Sequence, residues 1–101
     1  MLRKLLQQQF GNSIQINEAV SGNIAIQTMG FLTPDLVITD WKMENGNGED
    51  VVKYCLKEKI KVFIYTGTYY EEMKPYEDIL VWKPDLNGLI QKISDFLEKK
   101  N

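Results

Sequence analysis

Three side chains in this sequence could share one piece of chemistry: Asp40, Thr66 and Lys83. Each closes a short apolar run: Leu36-Val37-Ile38-Thr39 before Asp40, Val62-Phe63-Ile64-Tyr65 before Thr66, and Ile79-Leu80-Val81-Trp82 before Lys83. A carboxylate is a competent nucleophile towards phosphorus. A hydroxyl and an ammonium are groups that hold the oxygens of a transferred phosphoryl group. If the fold gathers the three run ends, the set suits phosphoryl transfer onto Asp40. Singly, each has a plainer reading. Asp40 could end a strand and cap a loop, Thr66-Gly67-Thr68 could be only a turn, and Lys83-Pro84 could be a strand exit before a helix.

The elements that must position these groups follow from periodicity. Leu2, Leu5, Leu6 and Phe10 share one helix face, and Gly11-Asn12 stops that helix. Ser13 to Asn17 alternates, Ile14 and Ile16 against Gln15 and Asn17, which predicts a half-exposed strand. Ser21 is placed to cap a helix with Ile24, Ala25, Thr28 and Met29 on one side; Gly30 and Thr33-Pro34-Asp35 end it. Leu36 to Asp40 is apolar on both faces until its last residues, as a strand covered by helices on both sides reads. After the Asn45-Gly46-Asn47-Gly48 loop, Glu49 and Asp50 open a helix with Val51, Val52, Cys55 and Leu56 as its buried stripe. Val62 to Thr66 is a further strand. Tyr69 to Met73 is weakly helical and is broken by Pro75. Ile79 to Trp82 is the fourth strand. Asp85 caps a last helix bearing Leu86, Leu89, Ile90, Ile93, Phe96 and Leu97. Alternating strands and helices predict an α/β fold, a parallel sheet of about four strands with helices on both faces. The ligand site of such a sheet lies beyond the carboxyl ends of its strands, where Asp40, Thr66 and Lys83 fall.

Composition narrows the function classes. The chain has 101 residues, 44% hydrophobic and 26% charged, so residues 1–101 read as one small domain. It has no histidine, which excludes His-based triads and phospho-carriers and most zinc sites. Cys55 stands alone, so no internal disulfide forms; a reducing, cytoplasmic location is expected and Cys55 is read as a core residue. A net charge of −2, from 12 basic and 14 acidic residues, gives no bulk attraction for nucleic acid. Apolar runs of at most four residues predict neither a membrane span nor a signal peptide. Trp41, Trp82, Tyr69 and Tyr70 are read as packing residues, with Trp41, Lys42 and the glycine-rich loop shaping the rim of the site.

At this point the chain resembles the receiver domain of two-component response regulators. The matching residues are Pro34-Asp35-Leu36-Val37-Ile38-Thr39-Asp40, then Met43 and Gly48, Thr66 closing an apolar strand, and Lys83-Pro84 closing the next. The family pattern around its phosphorylated aspartate is Asp-x-x-Met-Pro-x-x-x-Gly, and here Glu44 replaces the proline. The resemblance implies a flavodoxin-like three-layer doubly wound sheet, Asp40 as phospho-acceptor, and Thr66 and Lys83 as the switching and stabilising pair. It also implies a Mg²⁺ ion held by Asp40 and the backbone carbonyl of Lys42. A histidine kinase or phosphotransfer protein would be the partner, and the domain itself would not be an enzyme.

Departures from the pattern carry expectations of their own. Receivers begin with a central strand that ends in an acidic pair, which holds the metal. This chain opens inside what resembles the following helix, so that strand and both carboxylates are expected to be absent and the sheet truncated at its N-terminus. The position three before Lys83, where receivers carry an aromatic switch residue, is Leu80. Each like-charge contact between a phospho-donor and a carboxylate near 4 Å costs roughly 1 kcal/mol in water and about 4 at an effective dielectric of 20. With one side-chain ligand instead of three, Mg²⁺ binding and phosphorylation are expected to be weak or absent. Loss of a central strand either brings its neighbours together, in a contracted four-stranded sheet that stays monomeric, or leaves ladder edges open to a second chain, and a homodimer is expected. The alternative function is a degenerate receiver, a phosphorylation-independent interaction or dimerisation module. A haloacid-dehalogenase-type phosphatase would need an aspartate two residues after Asp40, where Lys42 stands.

Overall fold

The computed structural model describes residues 2–19, 21–42 and 48–100. Apolar spacing and local caps set the helices. In α1 (Leu2–Phe10) the helix buries Leu6, and the chain leaves it through a 3₁₀ turn, Gly11–Ser13. Gly11 sits at φ 56° with no atom within 4 Å of where a Cβ would be, so the left-handed exit is the reason for glycine there. The next helix, α2 (Gly22–Met29), starts at Ser21, whose hydroxyl accepts the Ile24 N–H at 3.2 Å.

Strand β1 (Leu36–Thr39) leads through residues 40–47 to α3 (Gly48–Lys57), and β2 (Lys61–Thr66) leads to a 3₁₀ segment (Glu71–Ile79). Strand β3 (Leu80–Trp82) then passes to α4 (Leu86–Lys100), where the Asp85 carboxylate accepts the Gly88 N–H at 2.9 Å as the cap. The three strands are parallel in the order β1-β2-β3. Side-chain alternation along β2 divides the core between the two faces of the sheet. Val62 and Ile64 pack with Met29, Val51, Val52, Cys55 and Met73 on the α2/α3 side. Phe63 joins Val81, Leu6, Leu89 and Ile93 on the α1/α4 side. The result is the expected three-layer α/β arrangement, each fully buried apolar side chain contributing about 1.5–3 kcal/mol.

The sheet has three strands among the described residues, not four. Ile14 and Ile16 are half-buried and Gln15 and Asn17 exposed, as the alternation required, but residues 14–19 form no ladder. A strand exists only when a neighbour takes its hydrogen bonds, and periodicity in one segment says nothing about whether the neighbour is there. Helix α2 is also rotated from its expected setting. Met29 is buried and Ala25 and Ile26 pack on the core, while Ile24 is 44% exposed. Leu56 likewise leaves the α3 stripe for solvent. The segment around Pro75 continues as a 3₁₀ run kinked at Tyr76 instead of stopping. Of the glycine-rich loop, Asn45, Gly46 and Asn47 lie outside the described residues, as do Met43 and Glu44, while Gly48 is the first residue of α3.

Candidate functional site

The parallel ladder alone brings the three chemical groups together. Register pairs Thr39 with Ile64 and Thr66 with Trp82, so the residues following the strands emerge at one edge. A backbone bond from Lys83 N–H to the Thr66 carbonyl at 2.8 Å joins two of the ends directly. At that edge the Lys83 ammonium donates to Asp40 Oδ2 at 3.0 Å, although the two residues are 43 positions apart. Oδ1 accepts the Trp41 N–H at 2.7 Å. Both side chains remain partly open to water, 37% for Asp40 and 46% for Lys83, so the pair adds little to stability. Its role is electrostatic. Burial by itself would raise the Asp40 carboxyl, but hydrogen bonds from Lys83 and the Trp41 N–H, the neighbouring Thr66 hydroxyl and the Lys83 charge outweigh it and hold the carboxyl below its ordinary 3.8.

Thr66 is buried in the same corner. Its proton is directed to the Thr68 carbonyl at 3.1 Å, and its oxygen accepts the Thr68 N–H at 3.3 Å. Towards Asp40 it therefore acts as a neighbouring dipole, and only a rotation of the hydroxyl would aim its proton at an oxygen placed there. The groove beside Asp40 is an open cleft of about 230 Å³, lined by Leu2, Ile38, Thr39, Asp40, Tyr65 and Lys83. The Lys83 Nζ lies 5.7 Å from the centre of the Tyr65 ring, a cation–π contact that helps hold the ammonium over the cleft.

Other expected participants fall elsewhere. Trp41 does not shape the rim: it is 2% exposed, packed 5.8 Å from the Tyr76 ring in the α2/α3 core. Trp82 is the reverse, 45% exposed and 6.0 Å from the half-exposed Tyr69 ring; as the last residue of a short edge strand it points away from both cores. Tyr70 packs on the core as expected, with Lys42 above its ring at 5.1 Å. Cys55 is the core residue it was read to be, and burial pushes its thiol up to about 11. Thr39 and Tyr65 line the cleft without having been singled out. Each immediately precedes a site residue, and strand alternation puts Tyr65 on the sheet face of Ile38.

Magnesium requires about six oxygen ligands near 2.1 Å and gives up water reluctantly. Among the described residues Asp40 is the one carboxylate in the cleft, and both its oxygens are engaged, by an ammonium and an amide N–H. No three acidic, histidine or cysteine side chains cluster among the described residues. These residues do not fit a tightly held Mg²⁺.

A family model of the response regulator receiver domain matches residues 1–100. The chain belongs to that family. Receiver domains act in phosphorelay signalling and generally interact with histidine kinases or phosphotransfer proteins, and the convergence of Asp40, Thr66 and Lys83 suits such a domain. No curated protein and no solved structure matches the chain. Among the described residues of this receiver, no helix is long and apolar enough to cross a membrane.

Proposed function

We propose that this receiver accepts a phosphoryl group on Asp40 from a phosphohistidine of a kinase or phosphotransfer protein, as a cytoplasmic signalling module. The supporting observation is the 3.0 Å contact between Lys83 Nζ and Asp40 Oδ2 at the strand ends. In the transfer, a carboxylate oxygen of Asp40 forms the O–P bond as the P–N bond breaks, and the departing imidazole nitrogen keeps the electron pair and takes a proton. Lys83 lowers the cost of bringing an anion to a carboxylate, and afterwards its ammonium is within reach of the phosphoryl oxygens. Trp41 N–H keeps the carboxylate plane fixed during attack. The chain turns over no substrate of its own, so it acts as a phosphate acceptor and not as an enzyme.

The donor set favours a second reading. With one carboxylate in the cleft among the described residues, Mg²⁺ binds weakly and transfer is slow, which is the behaviour of a degenerate receiver working as an interaction module. A second copy pairing along β1 belongs to that reading, because β1 has β2 on one side and no strand among the described residues on the other.

Incubation with phosphoramidate, with and without MgCl₂, followed by intact-mass measurement, separates the two. The acceptor reading expects one phosphoryl group on the wild type and none on Asp40→Asn. An unchanged wild-type mass at high MgCl₂ would leave the interaction module; a gain retained in Asp40→Asn would remove Asp40 as acceptor.

A further inference from the structure

The peptide unit between Asp40 and Trp41 is gripped at both ends. Its N–H end donates to the carboxylate of the same aspartate, Trp41 N to Asp40 Oδ1 at 2.7 Å. Its C=O end accepts the Thr39 hydroxyl at 2.8 Å. Because a peptide is planar, turning one end turns the other. The Thr39 hydroxyl therefore sets the direction of the N–H that holds Oδ1. A third contact closes the arrangement: Gly48 at the start of α3 packs against the Asp40 carbonyl and donates its N–H to the Trp41 carbonyl at 2.7 Å. Thr39 is 7% exposed and lines the same cleft as Asp40, so its hydroxyl is not a surface accident.

We infer that Thr39 is a positioning residue for Asp40: its hydroxyl fixes the Asp40–Trp41 peptide plane and through it the carboxylate. The inference rests on the reading of Asp40 as phospho-acceptor for its functional meaning, but its geometry is independent of that reading. A β-branched residue at the last position of a strand needs no such explanation from packing, since valine fills the same volume. What valine lacks is the proton that reaches the Asp40 carbonyl. Among the described residues, the groups that act on the carboxylate from the surrounding elements are few. Lys83 bonds it from the end of β3. From β2 come Tyr65 and Thr66. From α1 comes the apolar Leu2. The first acidic residue of α3, Glu49, is turned to Lys53 at 3.3 Å.

The test compares Thr39→Val, which removes the hydroxyl at constant shape, with Thr39→Ser, which keeps it. The Asp40 side-chain carboxyl is followed by ¹³C NMR through a pH titration, and phosphoryl uptake from phosphoramidate is timed by intact mass. Thr39→Val is expected to titrate at higher pH than wild type, with its Oδ1 hydrogen bond loosened, and to take up phosphate about tenfold more slowly. Thr39→Ser is expected to match wild type in both. If Thr39→Val fails to fold, Thr39→Ala against Thr39→Ser reads the same difference. A Thr39→Val titration superimposable on wild type, or a Thr39→Ser that behaves like Thr39→Val, overturns the inference. The titration decides it even if the wild type takes up no phosphate, an outcome that would count against the acceptor reading alone.

Discussion

Gly48→Ala should be the most damaging of the alanine substitutions at Gly11, Gly48 and Gly88. A Cβ at Gly48 would lie 1.7 Å from the Asp40 carbonyl oxygen, 2.7 Å from its carbon and 2.7 Å from Trp41 Cα. Ordinary contact begins near 3.4 Å, and all three neighbours are backbone atoms, so no rotamer change relieves the clash. The chain must move α3 away from Asp40, which strains or breaks the 2.7 Å bond from Gly48 N–H to the Trp41 carbonyl. Overpacking costs about 1–3 kcal/mol and the lost hydrogen bond about 1 kcal/mol. Against these, alanine gains at most about 1 kcal/mol in helix propensity. The net is about 1–3 kcal/mol, a fall in Tm of roughly 4–24 °C for a domain of this size. Two other glycines supply the scale. At Gly88 a Cβ would lie 2.2 Å from Asp85 Oδ2, but that carboxylate swings aside, and loss of the cap roughly cancels the gain in propensity. At Gly11 space is open, and only the φ of 56° opposes alanine, at about 1 kcal/mol. Urea unfolding followed by far-ultraviolet circular dichroism should rank the variants Gly48→Ala, then Gly11→Ala, then Gly88→Ala. A Gly48→Ala protein as stable as Gly88→Ala would refute the close approach of α3 to Asp40 on which the site is built.

Further outcomes follow from the same geometry. Lys83→Met removes both a hydrogen bond and a positive charge from the Asp40 carboxyl, so an NMR titration should find that carboxyl at higher pH than in wild type. Asp40 titrates lower in the folded state than unfolded, so its contribution to stability is present above the ordinary carboxylate range and lost as pH falls through the folded value. The stability difference between wild type and Asp40→Asn, from urea unfolding, should therefore shrink between about pH 6 and about pH 2; a constant difference would mean the ion pair is not formed. Iodide should quench the exposed Trp82 and spare Trp41, so Trp82→Phe should leave emission that iodide barely touches. Pairing of a second copy along β1 should appear in sedimentation equilibrium as a mass rising towards the dimer with concentration.

Much of the site was legible because it depends on strand ends, and strand ends are marked by where apolar runs stop. Asp40, Thr66 and Lys83 each follow such a run, and a parallel ladder has no choice but to deliver them to one edge. The order of helices and strands, the Ser21 and Asp85 caps and the Gly11 exit were legible for a similar local reason. What the residues could not announce is partnership. Ile14 and Ile16 carry strand periodicity, yet forming a ladder depends on a neighbour outside that segment. Trp41 and Trp82 look alike beside their site residues, but one turns into the core and the other to solvent, which the strand's place in the sheet decides. Thr39 was hidden because a threonine at the end of an apolar strand reads as packing until its hydroxyl is seen on the Asp40 carbonyl.

The most direct measurement is the position of the phosphoryl group itself. Wild-type protein treated with phosphoramidate and MgCl₂ is reduced with borohydride, which converts an aspartyl phosphate to homoserine, and the chain is then sequenced by tandem mass spectrometry. The expected result is homoserine at position 40 and at no other aspartate, with the yield falling in Lys83→Met. Homoserine at another aspartate, or an Asp40 left intact while the protein carries phosphate, would contradict the convergence of Asp40, Thr66 and Lys83 on one acceptor site.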